Sequence, residues 1–196
     1  MDFKMKKYLF LVMILIMMTS CSMPETKIYT LSLPPAETLN NKQAESSVTL
    51  IVHALRYLEQ PYIAHRISQY QIEISRYSKW ESSPADIVKT AFKDACSPLF
   101  KEIRTSGYAP EGFYIIDLTL RKFERTDIEN GSFGELVFDI KMLSPEGKEI
   151  IKSTISKSIK LDERDNSGLT KALSLALSSA VEEVRSSISS KLNTHL

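Results

Sequence analysis

The residues of this chain best suited to nucleophilic or metal chemistry are two cysteines, Cys21 and Cys96, and three histidines, His53, His65 and His195. Metal sites need clustered His, Cys and carboxylate ligands at short, regular spacing. The three histidines are scattered and none falls in a ligand-spaced motif, so no metal is expected. Serines are abundant, yet no Gly-x-Ser-x-Gly elbow presents one as a nucleophile. Adjacent carboxylates such as Glu182-Glu183 point apart on a helix, which does not suit acid–base work across a substrate. No glycine-rich loop cradles a phosphate; Gly131 and Gly134 sit in a hairpin-like setting. With no catalytic residue and no cofactor to name, an enzyme is not expected.

The two cysteines differ in kind. Cys96 falls on an apolar helix face and reads as a small buried hydrophobe. Cys21 closes a segment in which Lys4, Lys6 and Lys7 precede an unbroken apolar run, Tyr8 to Met18, followed by Thr19-Ser20. Charge, apolar run and small residues in that order make a secretory signal peptide. The run spans about 16 Å as a helix, half of a ~30 Å hydrocarbon core, and so is too short for a permanent span. Thr19-Ser20-Cys21 is similar to the bacterial lipobox, where cleavage precedes a cysteine bearing a diacylglycerol thioether; Met18 stands where Leu is usual. The expected organisation is a signal over residues 1–20, a membrane tether over 21–27 and one domain over 28–196, with a covalent lipid on Cys21.

Composition limits the alternatives. The chain has 25 basic and 24 acidic residues; residues 1–20 hold three lysines and one aspartate, leaving 22 against 23. No polybasic surface points to nucleic acid. Once Cys21 is acylated, a single thiol remains and no internal disulfide can form. Stability must come from the core of one domain.

The elements that would position any site follow from periodicity. Strands are expected at Ile28-Tyr29-Thr30-Leu31 and over residues 47–55, 62–67 and 71–77. Ser83-Pro84-Ala85-Asp86 starts a helix. Its stripe is Val88, Phe92, Ala95, Leu99 and Ile103, and Gly107 and Pro110 end the segment. Residues 113–125 form a long strand with Tyr114, Ile116, Leu118 and Leu120 on one face and Phe123 on the other. A turn region over residues 127–134 precedes a hairpin, 135–143 and 148–161, around Ser144-Pro145-Glu146-Gly147. The last helix carries Leu169, Leu173, Leu177, Val181, Val184, Ile188 and Leu192 on one stripe, widened by Ala172, Ala176 and Ala180. About seven strands and two helices suggest a mixed sheet covered by helices.

One stretch stands out for recognition. Residues 57–80 hold four of the eight tyrosines and the only tryptophan. Tyr, Trp and Arg are enriched where proteins touch. Tyr57, Tyr62, Arg66, Tyr70 and Trp80 are therefore candidate partner-binding residues. The same residues would equally serve a sheet whose aromatic bodies are half-buried.

With Thr19-Ser20-Cys21, the Tyr29-Thr30-Leu31 strand, the strand of Val48 to Val52, and Tyr57-Leu58-Glu59-Gln60-Pro61 leading to Arg66, then Tyr70 and Trp80 before a helix, the chain resembles the ABC-type transport auxiliary lipoproteins (PqiC-like). Gln60-Pro61-Tyr62-Ile63-Ala64 and Trp80-Glu81-Ser82-Ser83-Pro84 depart from that group's usual runs. The resemblance implies an α/β three-layer sandwich around a mixed sheet of five to seven strands with two main amphipathic helices. It also implies a non-enzymatic periplasmic subunit, lipid-anchored through Cys21. Its implied partners are an ABC transporter's permease and ATPase and their MCE-domain substrate-binding protein, in systems moving lipids or other hydrophobic molecules between two membranes. A homo-oligomer of the chain is a further expectation. Ser22, by the sorting habit of enterobacteria, favours the outer membrane over the inner. An envelope regulator or assembly factor is the alternative.

Overall fold

The computed structural model describes residues 24–34 and 44–194. The signal segment and Cys21 lie outside the described residues. The strands are β1 (Lys27–Tyr29), β2 (Ala44–Ala54), β3 (Tyr62–Ser68), β4 (Gln71–Trp80), β5 (Phe100–Thr105), β6 (Tyr114–Ile128), β7 (Gly131–Leu143) and β8 (Glu149–Lys160). The helices are α1 (Pro84–Cys96) and α2 (Asn166–Thr194), with 3-10 turns at Arg56–Glu59 and Ser97–Leu99.

Strand β6 organises the sheet. Along one edge it pairs antiparallel with β7 from Ile115 to Ile128, and β8 lies beyond β7. Its other edge takes two parallel partners in succession. Residues 114–120 pair with residues 48–54 of β2; Arg125 and Thr126 then pair with His65 and Arg66 of β3. β5 continues outward from β2, and β4 then β1 from β3. This is the expected mixed sheet with two helices, α/β in class, and it holds eight strands where five to seven were expected.

Both helices join one core cluster with the sheet: Phe92 of α1 meets Phe138 of β7 edge-on at 5.3 Å, and Leu173 and Leu177 of α2 are buried in the same cluster. The other sheet face carries Asp117, Arg121, Asp139 and Thr154, with Arg121 ion-paired to Asp139. The described residues thus build a sheet and one helix layer.

Local chemistry explains where elements start and stop. Ser83 Oγ accepts from the Asp86 N–H at 3.1 Å, and Pro84 occupies the first turn of α1. The helix does not run on to Ile103 as its stripe suggested. Pro98 lacks the N–H that the helix needs and would clash with the carbonyl four residues earlier. The chain turns at Ser97–Leu99, and Phe100–Thr105 becomes β5 beside β2. A bulge between Leu120 and Lys122 corrects a second expectation. The extra residue reverses the alternation, so Phe123 faces the core and meets Trp80 edge-on at 5.4 Å.

The turn expected over residues 127–134 is shorter, because β6 and β7 extend to Ile128 and Gly131. Gly147, at φ +79°, closes the β7–β8 turn with its N–H on the Ser144 carbonyl at 2.9 Å. In α2, Asp165 Oδ1 accepts from the Gly168 N–H at 2.7 Å. The helix lies close to β7 at Gly134, where an added Cβ would sit 3.0 Å from that of Ala172.

Phe123→Ala should lower stability in urea unfolding by about 3–5 kcal/mol, the usual cost of a large core cavity. Tyr70→Ala, at the exposed β3–β4 turn, should stay within about 0.5 kcal/mol.

Candidate functional site

The stretch over residues 57–80 becomes the 3-10 turn at Arg56–Glu59 and the β3–β4 hairpin. Between its two partners on one edge, β6 leaves residues 121–124 without a neighbouring strand. The 3-10 turn fills that gap, sending Leu58 into the core and Tyr57 across to β6. The Tyr57 hydroxyl donates to Glu124 Oε2 at 2.8 Å and lies 3.3 Å from the Arg121 carbonyl oxygen. Arg66 reaches the same carboxylate from β3, its Nε donating to Oε1 at 2.5 Å and Nη2 to Oε2 at 3.3 Å.

Glu124 has no solvent exposure. A buried carboxylate is tolerated only when paired and hydrogen-bonded, and here two side chains supply both. Burial, then the Glu124 charge, pushes the Tyr57 phenol well above its ordinary range. The hydrogen bond to Glu124 likewise raises Arg66. Both groups thus remain protonated through the physiological range and hold the hub together.

A second cluster lies nearer the hairpin tip. Arg125 donates through Nε and Nη2 to the two Asp127 oxygens, each at 2.9 Å, and through Nη2 to Ser132 Oγ at 3.2 Å. His65 Nε2 stands 3.1 Å from Asp127 Oδ2, outside hydrogen-bond alignment. Burial acts to raise Asp127, but Arg125 and Ser132 outweigh it and bring it down to about 2. A cavity of about 230 Å³ beside the cluster is lined by His65, Glu73, Ser75, Arg125 and Asn166.

Among the described residues, no group of three or more His, Cys, Asp or Glu could hold a metal. Cys96 is buried, and burial pushes its thiol up to about 12, so it stays protonated at neutral pH.

The five candidate contact residues separate into four kinds. Trp80 is 2% exposed and packs on Phe123, so it is a core residue and not a surface contact. Tyr57 and Arg66 are spent on Glu124, and their placement is architectural. Tyr62 is half-buried with the Lys79 ammonium 5.1 Å from its ring centre. Tyr70 is 89% exposed at the hairpin turn. Sequence reasoning passed over Glu124, although its signal was present: apolar residues at Leu118 and Leu120 and then at Phe123 demand a change of parity, which places Glu124 beside a bulge.

The model of the ABC-type transport auxiliary lipoprotein component matches residues 29–185. The chain belongs to this family. The match runs from the end of β1 deep into α2, so the auxiliary lipoprotein family accounts for nearly all of the described domain. No curated protein matches the chain. A crystal structure of a Xanthomonas campestris protein is similar at a TM-score of 0.72 and 14% identity, covering 87% of this chain and 100% of that one. A second solved structure, of an uncharacterized protein, gives 0.66 and 13%, covering 84% and 99%. At such identities the likeness is one of fold. Among the described residues of this lipoprotein, no helix is long and apolar enough to cross a membrane.

Arg66→Ala should destabilise the domain by about 3–5 kcal/mol in urea unfolding, because it strands a buried carboxylate. Adding Glu124→Gln should restore part of that loss; an unchanged or larger loss would show that charge pairing is not what Arg66 supplies.

Asp127 sets an acid limit. Its folded pKa of about 2 lies below the ordinary 3.8, so its contribution is full above that value and lost as pH falls toward 2. Asp127→Asn should flatten this part of the acid-unfolding curve followed by circular dichroism.

Proposed function

We propose that the chain is the lipid-anchored, non-catalytic subunit of an MCE-type ABC transport system that moves lipids or other hydrophobic molecules between membranes. Cys21 would carry the diacylglycerol, hold the domain on the outer membrane facing the periplasm, and leave recognition to the folded domain. The observation that carries this reading is the family match over residues 29–185.

The interior supports docking over carriage. Trp80, Phe92, Phe123 and Phe138 fill the space between helices and sheet, leaving side chains where a carrier would hold its cargo. Of the surface aromatics, Tyr62 suits a protein partner. It lies at the body end of β3, paired with Lys79 of β4, so a cation and an aromatic ring are offered together on paired strands. The Tyr57–Glu124–Arg66 hub behind it fixes the strand that presents it.

The full chain, affinity-purified from detergent-solubilised membranes, should bring down an MCE-domain protein identified by mass spectrometry. Tyr62→Ala should lower that recovery by about tenfold, the effect of losing an aromatic anchor. Cys21→Ser should move the chain from the membrane to the soluble fraction. Recovery of the chain without any MCE-domain protein would overturn the partner assignment, and unchanged fractionation of Cys21→Ser would overturn the anchor.

A further inference from the structure

Three large apolar side chains stand exposed at one end of the domain: Ile67 and Tyr70 at the β3–β4 turn, and Ile128 at the β6–β7 turn, 55% exposed. The sheet register puts the two turns together. β3 and β6 run parallel and pair at Arg66 with Thr126, so both strands finish at the same end, two residues further on.

The chain enters the fold from this end as well. β1 runs parallel to β4, with Lys27 beside Ser78. Because β4 runs away from the hairpin turn, the residues before Lys27 lead back toward it. Pro24 and Glu25 line an open groove of about 530 Å³ together with Arg125, Arg164 and Asp165, near the start of α2.

The lengths agree. Lys27 lies six positions after Cys21, a reach of about 20 Å at most. Ser78 lies seven positions after Gln71 along β4, about 23 Å of strand. A tether of that length is long enough, and not much longer, to span from Lys27 to the level of the β3–β4 turn. With a lipid on Cys21, the membrane would lie within reach of Ile67, Tyr70 and Ile128.

We infer that these two turns form a second, lipid-facing contact that stands the domain upright on the membrane holding Cys21. Tyrosine suits this position, its ring on the acyl boundary and its hydroxyl among the headgroups. Isoleucine adds apolar area that water disfavours. The contact can be weak, because the tether makes it intramolecular and raises its effective concentration. The inference rests on Cys21 being the lipidated residue.

The test uses the full lipidated chain reconstituted into phosphatidylethanolamine–phosphatidylglycerol vesicles, with and without brominated acyl chains. Tyr70→Trp and Ile128→Trp should each lose about half of their added emission to bromine, as a side chain at the aromatic belt would. Tyr108→Trp, exposed in the loop after β5 at the other side of the sheet, should lose none. The wild-type chain supplies the background of buried Trp80. Vesicle-bound chains with Tyr70→Trp and Ile128→Trp both unquenched would overturn the second contact and leave the anchor standing. A chain that fails to float with vesicles would overturn the anchor, and this inference with it.

Discussion

A single edge of β6 must serve two strands, and most of the domain depends on how the gap between them is closed. Where β2 ends and β3 has not begun, residues 121–124 lack a strand partner on that edge, and backbone groups left so must find other partners. The Tyr57 hydroxyl stands near the Arg121 carbonyl there, and the bulge after Leu120 and the Tyr57–Glu124–Arg66 hub occupy the same gap. The same bulge turns Phe123 inward, where it meets Trp80. The polar closure and the aromatic core are thus two sides of one irregularity in β6.

What could be read from the sequence was what short-range chemistry decides. The Ser83 cap, the Ser144–Gly147 turn and the apolar stripe of α2 each depend on residues within a few positions of one another, and each is present. The failures have separate causes. The stripe through Leu99 and Ile103 continued the helical period past Pro98, and one missing N–H outweighed the periodicity. Phe123 was assigned by simple alternation, which one inserted residue reverses. Glu124 lies 67 positions from Tyr57 and 58 from Arg66, so the local change of parity marks a bulge beside it but not the partners that make it a hub. Trp80 shows the limit of residue type as a guide: a large aromatic is favoured both in cores and at contact surfaces, and only burial separates the two roles.

The β3–β4 hairpin is fixed at its base by the hub and by its buried residues. β3 is in ladder register with β6 at two residue pairs, β4 has the three residues of β1 as its outer neighbour, and Ile63, Ala64 and Trp80 enter the core. Toward the turn, where Ile67 and Tyr70 are exposed, the hairpin has no such burial. Arg66 ties it to a carboxylate that cannot be left unpaired, and the bidentate Arg125–Asp127 pair, anchored also to Ser132, stiffens the adjoining end of β6. An interaction costly to break at the base of the hairpin therefore helps hold an exposed turn that itself contributes little to stability.

The register of β3 and β4 also separates the two surfaces assigned to the hairpin. Tyr62 pairs with Lys79 at the body end, whereas Ser68 pairs with Gln71 at the turn. Six residues of strand lie between Tyr62 and the turn, about 20 Å. A domain resting on the β3–β4 and β6–β7 turns would hold Tyr62 clear of the headgroups and open to a protein approaching from the periplasm. α2 begins at the lipid end and extends away from it over 29 residues, about 43 Å, which sets how far the domain would reach. Lipid attachment and partner docking then use opposite ends of one hairpin, and neither need displace the other.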